Sequence, residues 1–194
     1  MNPVFAAQGL VVVEGLIDER LARILYRCLQ LRHWRGEFKR DDQVPTATSH
    51  WGDATLDAVL IGLQPDIERA CGCTLLPTYA YARLYLTGNA LPRHRDRAAC
   101  EVAVTIHLGG RGAPPPPIRF APDITVHQRV GDGVVYQGDR IEHWREPFEG
   151  EDFGQVFLNY VRAGGDRTDL LHDGRRDVFP PWLMPDEALE AATP

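Results

Sequence analysis

Residues 78–96 read TYAYARLYLTGNALPRHRD, and this stretch decides the fold. Tyr79, Tyr81, Arg83 and Tyr85 alternate with the smaller or apolar Ala80, Ala82 and Leu84, which is the signature of a strand with two different faces. The stretch closes on His94-Arg95-Asp96. In extended chain residues i and i+2 point the same way, so His94 and Asp96 can converge on one ion while Arg95 faces away. Two imidazoles and one carboxylate occupy three positions of an octahedron and leave the rest open, the donor set that suits non-haem iron(II). Proximity does not choose the second histidine, because His107, His127 and His143 all follow. Local context has to decide: Gly131–Tyr136 reads as a turn and a buried strand, and His143 opens the next one. An ordinary surface hydrogen bond between His94 and Asp96, with His143 as a satisfied core histidine, is the plainer alternative.

Working outward, Leu10–Val13 reads as a short strand. Residues 17–31 place Leu21, Ile24, Leu25, Cys28 and Leu31 at helical spacing, with Asp18 and Glu19 in the first turn. His33 to His50 is polar and irregular and is expected to be a loop or lid. A second amphipathic helix is predicted over 54–70 from Leu56, Val59, Leu60, Leu63 and Ile67, with Gly72 near its end. Beyond residue 75, further strands are predicted at 101–108, 118–120, 124–128, 133–136 and 155–161, most of them separated by Gly or Pro clusters. Pro114 to Pro117 reads as a stiff connector. Helices followed by strands predict an α+β fold: a double-stranded β-helix, or cupin-like jelly roll, with the N-terminal helices packed on one sheet. One domain is expected over 1–194: helical support and lid to residue 74, a jelly-roll core over 75–163, and a tail from 164 in which Phe179-Pro180-Pro181-Trp182 docks on the domain.

The chain has 194 residues, 44% of them hydrophobic, and a formal charge of -6. That length supports a substantial core, and the charge argues against nucleic acid or anionic lipid as a general partner. No apolar run approaches the roughly 20 residues that span a bilayer, and no export signal is apparent at the N-terminus. The four cysteines, Cys28, Cys71, Cys73 and Cys100, are expected as reduced thiols in a cytoplasmic protein. A protein-kinase reading of His-Arg-Asp fails for want of the downstream Asn and Asp-Phe-Gly, and a cysteine zinc site fails for want of a second pair.

Taken together, Tyr81–Gly88, Leu91, His94–Arg97, Cys100-Glu101 and Thr105–Leu108, followed by Gly131–Tyr136, His143, Pro147 and Gly150, resemble the core of the prolyl 4-hydroxylase-like iron(II)- and 2-oxoglutarate-dependent dioxygenases. The resemblance spans about residues 78–161. It implies that His94, Asp96 and His143 ligate iron(II), that 2-oxoglutarate chelates the metal and O2 takes the remaining position, and that decarboxylation to succinate is coupled to attack on a substrate C–H bond. Ascorbate is an expected supporting reductant. Relatives usually place an Arg or Lys nine or ten residues after the second histidine to hold the distal carboxylate, whereas this chain has Asp152 and Phe153 there. Arg145, two residues from His143, is the expected substitute, with Arg119 or Arg162 behind it and a surface salt bridge to Glu142 or Glu146 as its plain alternative. Tyr85 and His107 match positions that touch the co-substrate in the family, and Gln155 and Asn159 lie on the closing strand. Arg97 is expected to pair with Glu101, Tyr79 and Tyr81 to line the substrate cavity, and the segment carrying His33, Trp34, His50 and Trp51 to cover it.

The expected activity is therefore hydroxylation of a small molecule or amino acid, with a peptidyl prolyl hydroxylase and a non-catalytic metal-binding or sensory jelly roll as the rivals. The oligomeric state is not legible.

Overall fold

The computed structural model describes residues 1–176 and 178–183. In chain order the elements are α1 (Pro3–Gln8), β1 (Leu10–Val13), α2 (Glu19–Arg35), β2 (Lys39–Arg40), β3 (Thr48–Trp51), α3 (Ala54–Cys71), β4 (Leu75–Leu86), β5 (Leu91–His94), β6 (Val102–Arg111), β7 (Ile118–Phe120), β8 (Ile124–Val126), β9 (Gly133–Tyr136), β10 (His143–Arg145) and β11 (Asp152–Arg162). They form a seven-stranded sheet in the order β1-β9-β6-β11-β4-β3-β2 and a four-stranded sheet in the order β5-β10-β7-β8. All pairings are antiparallel. The two sheets do not hydrogen-bond to each other along their edges, so the barrel is open.

The central strands of the large sheet, β9, β6, β11 and β4, are buried on both faces, and the alternation in β4 explains how. Ala80, Ala82 and Leu84 face α2 and α3 and share a core with Leu25, Leu29, Leu60, Ile67, Val104, Ile106, Val156 and Leu158. Removing side chains of this size from water stabilises the fold by about 1.5–3 kcal/mol each. The Tyr160 hydroxyl donates to the Leu60 carbonyl at 2.6 Å and ties α3 to β11. Tyr79, Tyr81, Arg83 and Tyr85 turn the other way, towards the small sheet. There Tyr79 shares a second core with Ile118 and Phe120 of β7, Val126 of β8 and Tyr136 of β9.

Each long helix stops where its caps dictate. Asp18 accepts from the Leu21 amide at 2.9 Å and Gly36 ends α2 in the left-handed region, so α2 runs four residues past the predicted Leu31. Asp53 accepts from the Thr55 amide at 2.8 Å and Gly72 ends α3 at φ 69°. A Cβ on Gly72 would also lie 2.3 Å from the Asn2 nitrogen, so conformation and space both require glycine there.

Two regions differ from the sequence reading. Helix α1 carries no readable periodicity, being six residues with one buried side chain, Phe5. The expected loop at 33–50 contributes the end of α2 and the strands β2 and β3, which extend the large sheet through backbone pairing such as His50 with Ala82. Their polar composition suits the sheet edge and hides them from an alternation test. In the tail, Phe179 packs against the core as expected, whereas Trp182 is 83% exposed. The remainder of the expected tail, 184–194, lies outside the described residues.

Candidate metal centre and the pocket beside it

Strands β5 and β10 are neighbours in the small sheet, and His94 lies directly opposite His143 in their register. Cross-strand partners on one face sit within side-chain reach, and the two ring centroids are 4.3 Å apart. Asp96 follows two residues beyond His94. Its Oδ1 is 3.3 Å from His94 Nε2 and its Oδ2 3.7 Å from His143 Nε2. One donor atom from each of the three side chains lies within 4.8 Å of the other two. His127 is exposed and His107 buried, and neither joins this cluster.

Both imidazoles are oriented in the same way. His94 Nδ1 is 2.8 Å from the carbonyl of Pro92, and His143 Nδ1 is 3.1 Å from the carbonyl of Ile141. Donation from Nδ1 to a carbonyl leaves the Nε2 lone pair facing Asp96, which is the tautomer a metal requires. Burial lowers the His143 proton affinity, and Asp96 offsets this only in part. At His94 burial acts the same way, but the Asp96 carboxylate and the Pro92 carbonyl outweigh it and raise its pKa. Two neutral nitrogens and one carboxylate oxygen, already turned inward, fit a divalent transition metal with open positions.

Asp96 is placed by a residue the sequence reading did not single out. Its amide donates to the Gly138 carbonyl at 2.9 Å, and a Cβ on Gly138 would lie 2.5 Å from Asp96 Oδ2 and 2.7 Å from the Cys100 carbonyl. Only a residue without a side chain leaves room for the carboxylate. The Gly-Asp dipeptide at 138–139 after a strand was its one signal.

Arg145 is buried at 3% exposure. Its Nη1 donates to the Pro116 carbonyl and its Nη2 to Gln128 Oε1, both at 2.7 Å. Gln128 is itself oriented, since its Nε2 donates to the carbonyls of Thr105 and Asp132. Arg145 Nε has no partner among the described residues, and no carboxylate there pairs with this guanidinium. Glu142 pairs instead with Arg93, and Glu146 lies by Arg119. Burial pulls the guanidinium down to about 10, still protonated at neutral pH. A buried cation without an anion costs several kcal/mol.

The surroundings of Arg145 include most of the expected pocket residues. Its guanidinium lies 5.9 Å from the ring centroid of Phe153. Tyr85 stacks on Phe153 at 4.4 Å. His107 Nδ1 is 3.2 Å from Gln155 Nε2, and Gln155 Oε1 accepts from the Thr105 hydroxyl. Asn159 is not part of this group. It stands four residues further along β11, opposite Tyr79, and donates to the Tyr79 carbonyl at 3.3 Å.

A second buried guanidinium, Arg83, has a full set of partners. It donates to both oxygens of Asp41 at 2.7 and 2.9 Å, to Gln43 at 3.0 Å and to the Tyr85 hydroxyl at 2.8 Å. Asp41 belongs to the segment between β2 and β3, whose Val44 and Ala47 pack against Tyr85, Phe148 and Phe153. Beside this segment lies a cavity of about 580 Å³ whose wall includes Asp96, Tyr79, Tyr81 and Trp51. The expected pairing of Arg97 with Glu101 does not form. Arg97 holds Asp173 through two hydrogen bonds at 2.5 and 2.6 Å, and Glu101 pairs with Arg162. The 3-10 segment at Thr168–Gly174 carries Asp173 to Arg97, a contact across 76 residues that local sequence does not announce.

No family model matches this sequence, and no curated protein does. Solved structures do. A prolyl-4-hydroxylase from Pseudomonas putida superposes with a TM-score of 0.67 at 19% identity, covering 82% of this chain and 95% of that one. The epimerase SnoN in complex with Fe3+, alpha ketoglutarate and nogalamycin RO gives 0.66 at 13% identity, covering 82% and 81%. A protein of the 2OG-Fe(II) oxygenase family from Burkholderia pseudomallei gives 0.64 at 16%, covering 82% and 88%. At identities this low the likeness is one of fold, and the chain has the double-stranded β-helix seen in prolyl-4-hydroxylase and 2OG-Fe(II) oxygenase structures.

Proposed function

We propose that this chain is an iron(II)- and 2-oxoglutarate-dependent oxygenase that hydroxylates a C–H bond of a small molecule. The observation that carries the reading is Arg145, a buried guanidinium without a carboxylate partner among the described residues, on the same short strand as His143. A metal triad alone suits many sites; a triad beside a receptor for a buried carboxylate suits a keto diacid. Bound iron and 2-oxoglutarate would supply oxygen activation, driven by decarboxylation of the keto acid to succinate.

The chain's own residues do the rest. His94, Asp96 and His143 hold the metal, with their rings fixed by the Pro92 and Ile141 carbonyls. Arg145 takes the distal carboxylate and offsets its desolvation through charge-assisted hydrogen bonds, while Pro116 and Gln128 aim the guanidinium. Tyr85, Phe148 and Phe153 keep water from the pocket. Phe153 supplies packing, and Arg145 supplies the charge that relatives usually carry nine or ten residues after the second histidine. Asp96 lies on the wall of the 580 Å³ cavity, so a substrate bound there would lie beside the metal. That volume lies in the usual range for small ligands, about 300–1,000 Å³.

Titration of 2-oxoglutarate into the anaerobic iron(II) protein tests this reading. A weak visible charge-transfer band should appear, and Arg145→Ala should weaken its titration by about 30-fold or more, the loss of a buried charge pair. Asp96→Ala should abolish both the band and succinate formation. If 2-oxoglutarate leaves the spectrum of the metal-loaded protein unchanged, a non-catalytic metal-binding barrel replaces the oxygenase.

A further inference from the structure

We propose that the cavity beside the metal centre selects an anionic substrate, captured at its mouth by Lys39, Arg40 and Arg95. This deepens the oxygenase reading by naming the substrate class, and it rests on that reading for the chemistry that follows binding.

The cavity is lined by five cations and three carboxylates, in a chain whose formal charge is -6. Such an inversion of sign is a local feature. Two of the cations are committed: Arg83 to Asp41 and Arg97 to Asp173. Of the carboxylates, Asp41 is committed to Arg83 and Asp96 belongs to the triad. What remains is Lys39, Arg40 and Arg95 against Asp42, all exposed. None of the three cations has an ion-pair partner among the described residues. Like charges gathered round a cleft focus its field and draw in ions of opposite sign.

Their positions give the capture a direction. Lys39 and Arg40 form β2, at the free edge of the large sheet, and Arg95 lies between His94 and Asp96. An anion held by all three is therefore tethered between the lid segment and the metal loop. The wall between them is aromatic: Trp51, Tyr79 and Tyr81 follow one another at centroid separations of 6.4 and 6.0 Å. Trp51 is 41% exposed and Tyr81 stacks on buried Phe157 at 4.4 Å, so the series runs from solvent into the barrel. The matching molecule has an anionic head and an apolar body that lies along this wall towards Asp96.

The test uses aryl acids and their neutral isosteres as probes. Benzoate, 3-phenylpropionate, benzamide and 3-phenylpropanamide are titrated calorimetrically into the anaerobic iron(II) protein, with and without saturating 2-oxoglutarate. At least one acid should bind about tenfold or more tightly than its amide at low salt, with the preference shrinking as salt is raised. The combined variant K39Q/R40Q/R95Q should bring acid and amide within about twofold while 2-oxoglutarate still binds; K39Q/R40Q, which leaves the metal loop intact, should lose part of the preference. Equal binding of acids and amides, no acid binding, or a preference that survives the combined variant overturns the inference. It is also overturned if the substitutions slow only 2-oxoglutarate entry, because the cations then serve the co-substrate. If 2-oxoglutarate fails to bind while the acid preference holds, the oxygenase reading falls and the anion site stands.

Discussion

Arg145 and Arg83 are both nearly sealed from solvent, at 3% and 2% exposure, and differ in what faces them. Arg83 has Asp41; Arg145 has only neutral acceptors. The same residue type thus serves as a latch in one place and, in the other, stands without a carboxylate partner among the described residues. Gly138 shows how narrow the tolerances beside them are. Adding one methyl at Gly138 forces Asp96 to move or the chain near Cys100 to shift, because both oxygens would be closer than van der Waals contact allows. Gly138→Ala should cost about 1–3 kcal/mol of stability and lower iron(II) affinity about 10–100-fold, as expected for a residue that positions a ligand. Calorimetric metal titration alongside urea unfolding checks both. A variant that folds and binds metal like the parent would mean that Asp96 does not depend on this close approach.

Among the elements, the segment from β2 to β3 is tied to the barrel by one buried ion pair, besides its backbone pairing and the packing of Val44 and Ala47. Asp41 accepts from Arg83, and its Oδ1 also accepts from the amides of Gln43 at 3.0 Å and Val44 at 2.9 Å. Asp41→Ala removes the turn and the ion pair together and leaves a buried cation that only Tyr85 and Gln43 can address. Breaking such a pair costs roughly 3–5 kcal/mol if nothing relaxes. Here the segment can swing out and let water reach Arg83, so the cost should appear as local opening. Hydrogen exchange should show residues 39–47 losing protection while α2 and α3 keep theirs; uniform loss, or none, would contradict a latch. This element was also the least legible in the sequence. Strand β4 and the two long helices announce themselves, since their side chains alternate or recur on a face that becomes buried. Strands β2 and β3 are held by backbone pairing at an edge and carry polar side chains, so neither periodicity nor composition marks them. The site divides in the same way. His94 and Asp96 follow from i, i+2 geometry and Arg145 from the same rule applied to His143, whereas the choice of His143 needed the family resemblance. Gly138 and the Arg97–Asp173 pair were out of reach because each depends on where a distant segment comes to lie.

At the scale of the whole molecule, the large sheet separates a helix-facing core, which is apolar, from a barrel-facing side that buries Arg83, His107, Arg145 and Gln155. Burying these polar groups costs stability, and the cost depends on pH. His107 is packed among Gln155, Phe153 and Arg145, and Asp132 is the carboxylate acting on it among the described residues. Burial first, and then the Arg145 charge, push its pKa from 6.5 down to about 4. Folding therefore favours the neutral ring. Above the ordinary histidine value neither state holds the proton and the contribution is constant. Below it the unfolded chain takes up a proton that the folded chain refuses, so stability falls by up to about 1.4 kcal/mol per pH unit until the folded value is reached. Paired carboxylates such as Asp53, whose pKa is lowered, act in the same direction, so the His107 share must be read as a difference. Urea unfolding of the parent and of His107→Gln should give curves that converge as pH falls from 6.5 to 4.5, the variant losing less stability over that interval. Parallel curves would mean that this imidazole takes its proton as readily in the folded barrel as in the unfolded chain, and that the pocket beside Arg145 is wetter than its burial indicates.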